Sequence, residues 1–310
     1  MKRKGQRVDG WLVLDKPAGI SSAKAVAIAR RLFEAAKVGH GGTLDPLATG
    51  ILPIAFGEAT KTVAWAMDGR KAYRVRARFG EARDTDDAEG AVIETSAIRP
   101  GAAALCDALP RFTGTIQQVP PDYSAIKVAG QRAYKLARAD RPVALQPRPV
   151  EIDRLALVDR SGPDEALEWA DLAVECGKGT YIRALVRDLA RYLGTVAYVE
   201  ALRRTRVGPF AENRAISLDS LVALGHSPAR FEHLLPVETA LDDIPALAVT
   251  EEEASRLRHG QALAMLRTGI RDTVPGGEGG PVLRAMLDRR LVALVRIDGG
   301  SIRSVRVINP

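Results

Sequence analysis

A single carboxylate in a glycine-rich segment is the first candidate for chemistry in this chain. Asp45 lies in residues 39–50, GHGGTLDPLATG, where four glycines and a following proline surround it. Glycine lets the backbone turn sharply and approach a ligand closely. A carboxylate held in such a loop can act as a nucleophile or as a general base. The tripeptide Leu-Asp-Pro alone is typical of a plain turn, so it does not by itself establish a catalytic role.

A strand with an aromatic ring on one face and cations on the other is predicted further along. Residues 71–79, KAYRVRARF, alternate with period two, which places Tyr73 on the same face as the apolar residues that follow it. Arg74, Arg76 and Arg78 lie on the opposite face. Taken alone, Tyr73 fits a core position better than a binding pocket.

The elements that would position these residues show no regular alternation of strands and helices. The pattern predicts strands at 11–15, 71–79, 126–128 and 172–176, and helices after a Ser21 or Ser22 cap, from Glu58 to Trp65, and from Thr180 to Leu193 with Gly194 as the stop. Strands interrupted in this irregular way indicate an α+β fold rather than a parallel barrel.

A break in the pattern at residues 241–245 predicts a second, smaller domain. Beyond it the sequence predicts a short helix at 251–257, a flexible loop at 276–280, and strands at 291–295 and 305–307. We therefore expect a larger domain at 1–243 and a small, mostly β domain at 244–310.

Charge and cysteine usage bear on the partners and the compartment. The 310-residue chain has a formal net charge of +7 at pH 7, which favours a polyanionic partner such as a nucleic acid.

Cys106 and Cys176 lie far apart with no paired motif, which predicts a reducing compartment and no cysteine-based zinc site. No stretch approaches the roughly 20 apolar residues that span a bilayer. No apolar run follows the basic N-terminus either, so we predict a cytoplasmic protein without a membrane partner.

Two segments imitate ligand-binding motifs without meeting their requirements. Residues 84–90, DTDDAEG, begin like a calcium loop, but its sixth and twelfth positions hold Glu89 and Thr95 instead of glycine and glutamate. We interpret this segment as an acidic turn. Residues 39–42 are rich in glycine but lack the Lys-Ser/Thr ending of a phosphate-binding loop. No metal site is predicted.

Five segments, in order along the chain, resemble the motifs of one enzyme family. They are residues 11–22 (WLVLDKPAGISS), 37–50, 71–75, 120–128 (PPDYSAIKV) with Gly130, Arg132, Ala133 and Tyr134 after it, and 177–183 (GKGTYIR) with Leu202, Arg203 and Arg204 after it. They span about two thirds of the chain. These segments resemble the motifs of the TruB family, the bacterial tRNA pseudouridine-55 synthases.

The resemblance implies a reaction on RNA. The family isomerises uridine 55 in the T-loop of tRNA: the base leaves its stack, the N1–C1′ glycosidic bond breaks, and C5 joins C1′. By resemblance Asp45 is the catalytic aspartate, and both attack on C1′ and removal of a 2′ proton stay open for it. Tyr73 corresponds to the tyrosine that stacks on the target uracil and is a candidate acceptor of the C5 proton. Such an isomerisation needs no metal or other cofactor.

The remaining site residues also follow from the resemblance. Arg183 corresponds to the arginine that pairs with the catalytic carboxylate, and an opposite charge nearby keeps an aspartate ionised. Tyr181 resembles a second ring of the pocket, and Leu202 would be an apolar wall of it.

Three more residues are implied at or behind the predicted catalytic loop. His40 corresponds to a histidine that enters the RNA loop and occupies the space of the flipped base, while a turn histidine with local hydrogen bonds is the alternative. Lys16 and Pro17 resemble structural support residues. The family fold would be a mixed, mainly antiparallel β-sheet catalytic domain of pseudouridine-synthase type with flanking helices, followed by a PUA-like RNA-binding domain at 244–310.

Three functions therefore compete. The favoured one is a stand-alone, monomeric enzyme that acts on the T stem-loop of tRNA without a guide RNA. The second is the archaeal and eukaryotic relative that works within a guide-RNA particle. The third is a catalytically idle RNA-binding or tRNA-folding protein, and the presence of Asp45, Tyr73 and Arg183 argues against it.

Overall fold

Alternating and continuous apolar runs form two large β-sheets with helices packed on them, and two further sheets have two strands each. The computed structural model describes residues 5–124, 126–128, 131–133, 145–264, 280–298 and 300–309. Within these residues the helices are α1 (Ser22–Leu32), α2 (Val63–Asp68), α3 (Ala102–Ala108), α4 (Ile182–Tyr192), α5 (Leu218–Leu224) and α6 (Glu251–Arg258). The strands are β1 (Gly10–Lys16), β2 (Val38–His40), β3 (Thr49–Phe56), β4 (Lys71–Phe79), β5 (Glu81–Arg83), β6 (Val92–Thr95), β7 (Gly114–Gln118), β8 (Lys127–Val128), β9 (Gln131–Arg132), β10 (Arg148–Arg160), β11 (Trp169–Cys176), β12 (Ala197–Val207), β13 (Phe210–Ala211), β14 (Ile216–Ser217), β15 (Leu234–Leu235), β16 (Ala246–Ala248), β17 (Leu263–Ala264), β18 (Val282–Leu287), β19 (Arg290–Asp298) and β20 (Ser301–Val307). The two-stranded sheets are β5-β6 and β8-β9.

The larger sheet has the strand order β14-β1-β3-β12-β4-β11-β10-β7, with β2, β13 and β15 paired at its margins. Along this path only β14–β1 and β12–β3 pair in parallel, and the other neighbours are antiparallel. The predicted α+β fold with a mixed, mainly antiparallel sheet is therefore confirmed.

One face of this sheet packs against α1 and α4. Ala25 and Ala29 of α1 and Leu185 and Leu189 of α4 are buried in one apolar cluster with strand residues such as Val75. The predicted strand at 71–79 is confirmed as β4. This packing sets the N-terminal end of α4 beside the centre of the sheet.

The ends of these two helices follow the local signals in the sequence. The Ser21 hydroxyl accepts a hydrogen bond from the backbone N–H of Lys24 at 3.2 Å and caps α1. Helix α4 starts at Ile182 with Tyr181 at its cap, slightly later than predicted. Gly194 follows it with φ +74°, a conformation that glycine adopts without strain.

The prediction of a single helix from Glu58 to Trp65 is wrong, because two separate elements occupy this stretch. A 3₁₀ turn at Gly57–Lys61 comes first, and α2 starts only at Val63. Thr62 separates the two: it is buried, and its N–H and its hydroxyl both donate to the carbonyl of Ala59, at 3.0 and 2.9 Å. A side-chain bond to the backbone of this kind competes with continued helix.

The long strands β10 and β12 of the larger sheet were not predicted from the sequence. Strand β10 contains two register shifts against β11, and β12 contains two against β4. Each bulge inserts an extra residue, which breaks the period-two pattern on which strand recognition depends.

The smaller sheet lies near the C-terminus and has the order β16-β18-β19-β20-β17. It confirms the predicted mostly β C-terminal part, with the predicted strands within β19 and β20 and the predicted short helix as α6. Residues 276–279 of the predicted flexible loop, and Ala125, Gly130 and Tyr134 of the fourth motif, lie outside the described residues.

The second face of the large sheet meets this C-terminal sheet. Trp11 and Ile51 of the large sheet share a buried apolar cluster with Leu291, Leu294 and Ile308. No helix among the described residues is long and apolar enough to cross a membrane.

Candidate active site

The Asp45 loop, residues 41–48, connects the neighbouring strands β2 and β3. At its start the N–H of Gly41 donates to the carbonyl of Pro53 at 2.8 Å. In its middle the buried Ser22 hydroxyl both accepts from the N–H of Leu44, at 2.8 Å, and donates to its carbonyl, at 2.9 Å. The loop that carries Asp45 is thus fixed at two points by hydrogen bonds before any ligand binds.

Lys16 and Pro17 lie behind this loop. The Lys16 ammonium is fully buried and donates to the carbonyls of Pro17, Ile20 and Pro46, at 2.8, 2.9 and 3.2 Å. Burial lowers the pKa of Lys16 to about 8, although the negative charge of Asp45 acts in the opposite direction. The Pro17 side chain is exposed, so its contribution here is its carbonyl.

Arg183 meets Asp45 from the first turn of α4. Its Nε lies 3.0 Å from Asp45 Oδ2, and the two side chains are 5% and 37% exposed. The N–H does not point along this line, so the contact is an ion pair rather than a hydrogen bond. Two further nitrogens donate to the carbonyls of Thr85 and Tyr123, at 2.7 and 2.9 Å. The guanidinium therefore has a fixed orientation that does not depend on Asp45.

Asp87, in the acidic turn of residues 84–90, is a second carboxylate on the same guanidinium. It is 4% exposed and lies 3.4 Å from Nη1 of Arg183. The turn is held to the sheet by a bond from the N–H of Ala88 to the carbonyl of Val199, at 3.0 Å. The sequence interpretation took residues 84–90 for a plain acidic turn and missed this contact.

A second pair of charges repeats this arrangement one helical turn later. Arg187 lies 2.8 Å from Asp86, next to the pair of Arg183 and Asp87. Arginines four residues apart share a helix face, and adjacent aspartates in the turn face them. This spacing is the signal by which the contact could have been found in the sequence.

Arg204 of β12 is another buried cation that the sequence interpretation left without a role. It is 2% exposed, and it donates to the carbonyls of Ile51, Gly42 and Thr43 at 2.8, 3.0 and 3.2 Å. Tyr73 stands opposite it in the register of β4 and β12. Burial raises the pKa of Tyr73, and the positive charge of Arg204 opposes this rise.

Tyr181 is held from the other side of the site by an amide. The side chain of Gln118, which is buried, accepts from the N–H of Tyr181 at 2.8 Å and donates to its carbonyl at 3.1 Å. Burial raises the pKa of Tyr181, so its phenol stays neutral near pH 7. Gln118 is a further site residue that the sequence did not reveal.

The predicted residues meet at a cavity of about 280 Å³. Its walls include Asp45, Tyr73, Tyr181, Arg183 and Leu202. A cavity of this size takes one small, compact group, and the partly exposed carboxylate of Asp45 reaches it. Five residues from separate parts of the sequence are thus brought to one space.

His40 lines a second, larger cavity of about 850 Å³, which Asp45 and Arg183 also border. Its Nδ1 is buried and has no hydrogen-bond partner among the described residues. Burial lowers the pKa of His40, and the charge of Arg204 lowers it further. His40 is therefore a neutral ring next to, but not in, the smaller cavity.

Solved structures share this fold. A chain in the crystal structure of a Cbf5–Nop10–Gar1 complex matches with a TM-score of 0.74 and 25% identity, over 97% of this chain and 85% of that chain. A chain of an H/ACA RNP bound to a substrate RNA containing 2′-deoxyuridine matches with a TM-score of 0.73 at 23% identity, with the same coverage. These matches show the fold, in which the Asp45 loop borders the smaller cavity.

The family follows from the sequence matches. Residues 30–182 match the N-terminal domain of the TruB family pseudouridylate synthases, and residues 183–242 match the C-terminal domain of tRNA pseudouridylate synthase B. The chain belongs to the TruB family. A protein of Rhodospirillum rubrum named tRNA pseudouridine synthase B is 53% identical over 308 residues, and one of Gluconacetobacter diazotrophicus with the same name is 54% identical over 310 residues. Each match covers 99% of both proteins.

Proposed function

We propose that this enzyme isomerises uridine 55 to pseudouridine in the T-loop of tRNA. The observation that carries the proposal is the ion pair of Asp45 and Arg183 at the wall of a cavity for one small group. The relatives named tRNA pseudouridine synthase B, about half identical over the full chain, support tRNA as the substrate.

Asp45 is the catalytic residue of this proposal. The target uridine leaves its stack and places its base in the 280 Å³ cavity. The carboxylate then either attacks C1′ or removes a 2′ proton, and the N1–C1′ bond breaks. Arg183 orients the carboxylate, because its guanidinium is itself held in place and lies 3.0 Å from Asp45 Oδ2.

Tyr73 and the cavity walls act on the detached base. The ring of Tyr73 stacks on the uracil, and Leu202 and Tyr181 limit its rotation to the space between them. C5 bonds to C1′, its proton leaves to a base for which the Tyr73 oxygen is the candidate, and N1 gains a proton. The product has the same atoms as the substrate, so no oxidant or reductant enters the balance.

The proposed partners are tRNA alone, without a guide RNA and with the enzyme as a monomer. The net charge of +7 supports a polyanionic partner. His40, beside the second cavity, would fill the space that the flipped base leaves in the RNA loop. A tRNA substrate is consistent with a cytoplasmic location of the enzyme.

The proposed domain division is a catalytic domain at 1–243 and a PUA-like RNA-binding domain at 244–310. The separate five-stranded sheet supports the division, while the shared apolar cluster fixes one sheet against the other. Truncation at residue 244 would expose this cluster, so substitution is the cleaner test. Arg303 and Arg306 are exposed on β20, and Arg303→Gln with Arg306→Gln should lower the salt dependence of tRNA affinity by about one unit of slope per lost phosphate contact. An unchanged slope would remove these arginines from the RNA interface.

Tritium release tests the function directly. tRNA labelled at uracil C5 is incubated with the purified enzyme and no guide RNA, and release of tritium from position 55 alone is expected. Release that requires an added guide RNA would favour the guide-RNA particle, and tRNA binding without release would favour an idle binding protein. A tRNA with cytidine at position 55 is the matched control substrate.

A further inference from the structure

Arg204 joins the two structural parts that the reaction must bring together. It stands on β12, the strand between β3 and β4. In register, it faces Gly50 of β3 on one side and Tyr73 of β4 on the other. Gly50 ends the glycine-rich segment that carries Asp45. Arg204 therefore lies between this segment and Tyr73.

The guanidinium of Arg204 binds both arms of the Asp45 loop. Two of its nitrogens donate to the carbonyls of Gly42 and Thr43, just before Asp45, at 3.0 and 3.2 Å. The third donates to the carbonyl of Ile51, after Asp45, at 2.8 Å. A planar guanidinium with donors in fixed directions fixes the separation of the two arms.

The backbone of the same residue also contacts the loop at van der Waals limits. Gly50 has φ +99°, and a Cβ atom at this position would lie 2.2 Å from the carbonyl oxygen of Arg204. Only glycine permits this approach. The parallel pairing of β12 with β3 is short, Arg203 with Thr49 and Arg204 with Gly50, and the side-chain bonds of Arg204 add to it in joining the loop to β12.

Arg204 and Tyr73 also interact electrostatically. Burial lowers the pKa of Arg204, and the neighbouring Tyr73 and Asp45 oppose this change. Arg204 is 2% exposed, so the interaction of its charge with Tyr73 takes place in a site that excludes most water. A cation in this place lowers the pKa of the Tyr73 phenol and so opposes the rise that burial causes.

We propose that Arg204 is a positioning residue, which sets the distance between the Asp45 carboxylate and the Tyr73 ring. It does so through its bonds to Gly42 and Thr43 of the loop and to Ile51 of β3. The proposal rests on the proposed isomerisation, in which carboxylate and ring act on one nucleotide. Arg204 also borders the cavity that would receive the base, but its proposed role is exerted through the Asp45 loop. Its effect is on the rate of the chemical step and not on the affinity for tRNA.

The test compares Arg204→Lys with Arg203→Lys. Lysine keeps the positive charge but cannot bind three diverging carbonyls from one planar group. Arg203 is the matched control: it is the adjacent residue on the same strand, and it points to the other face, where it pairs with Asp15 and Glu212. Single-turnover tritium release on saturating tRNA, the dissociation constant for tRNA, and hydrogen exchange of residues 41–50 are measured for each.

We expect Arg204→Lys to slow the chemical step about 10²-fold, the loss typical of a misplacement of about 1 Å. Its tRNA affinity should stay near that of the unsubstituted enzyme, and exchange should increase in residues 41–50 while the rest of the sheet stays protected. Arg203→Lys should leave all three near their original values. In a cycle with Tyr73→Phe, the rate losses should be less than additive, because both substitutions disturb one arrangement.

Four results would overturn the proposal. They are a normal rate in Arg204→Lys, a rate loss matched by a loss of tRNA affinity, additive losses with Tyr73→Phe, and loss of exchange protection throughout the sheet, which would make Arg204 a residue of general stability. Absence of tritium release by the unsubstituted enzyme would instead refute the proposed function. The hydrogen-exchange comparison would still decide whether Arg204 holds the loop.

Discussion

Replacing Arg183 by methionine should damage both the fold and the chemistry, and the two effects can be separated. Asp87, 4% exposed, would lose its buried partner, and breaking a buried ion pair from one side costs about 3–5 kcal/mol of unfolding free energy. Asp45 is 37% exposed, so water replaces much of what it loses. Most of the loss of unfolding free energy therefore comes from Asp87. Asp45 instead loses the contact that orients its carboxylate.

Arg187→Met provides the matched control on the same helix. Arg187 lies one turn after Arg183, pairs with the largely buried Asp86, and donates to the carbonyl of Val119 at 2.7 Å. We expect both variants to lose a similar free energy of unfolding in urea. Of the two variants, only Arg183→Met should slow single-turnover tritium release, by about 10²-fold, because Arg183 contacts Asp45 and Arg187 contacts Asp86 instead.

A compensating substitution then separates charge from orientation. Asp87→Asn in the Arg183→Met background removes the unpaired buried charge and keeps an oxygen for the hydroxyl of Thr85, 2.6 Å away, and the N–H of Glu89, 3.1 Å away. The double variant should regain most of the stability and none of the rate. Equal rates in Arg183→Met and Arg187→Met, or recovery of the rate together with the stability, would refute the reasoning.

The remaining predictions concern the carboxylate, the ring and the buried lysine. Asp45→Asn should keep the fold and tRNA binding and lose about 10²–10⁴-fold in turnover, so activity above about a tenth of normal would exclude an essential acid–base or nucleophilic role. Tyr73→Phe should bind tRNA normally and stop after glycosidic cleavage, whereas Tyr73→Leu should also weaken capture of the base by about 1–3 kcal/mol; near-normal single-turnover rates in Tyr73→Phe would leave only stacking for this residue. Because the pKa of Lys16 is about 8, the Lys16 ammonium loses its proton as the pH rises through 8, and turnover should fall with it. The turnover of Lys16→Arg should fall less at pH 9. The folded pKa lies below the unfolded value of 10.5, so the contribution of Lys16 to stability rises between pH 8 and 10.5; a melting temperature that falls together with the rate in this range would contradict the assignment.

The local elements around the site could be predicted because their signals lie within a few residues. The alternation of residues 71–79 identified β4, and the serine cap and Gly194 marked the ends of α1 and α4. The bulged strands β10 and β12 could not be predicted, because each bulge shifts the faces of the residues after it. The loop carrying Asp45 was recognisable as a motif, since glycine and proline act on their own neighbourhood.

What the sequence determined by itself was thus the kind of residue available at the site: a carboxylate in a glycine-rich loop, a tyrosine on a strand, and an arginine at the start of a helix. The tertiary structure alone decided which arginine meets which oxygen. Arg183 reaches Asp87 across 96 positions of sequence, and Arg204 binds carbonyls before and after Asp45. These pairings depend on burial, because a guanidinium removed from water must satisfy its donors with whatever oxygens the packed chain places within reach.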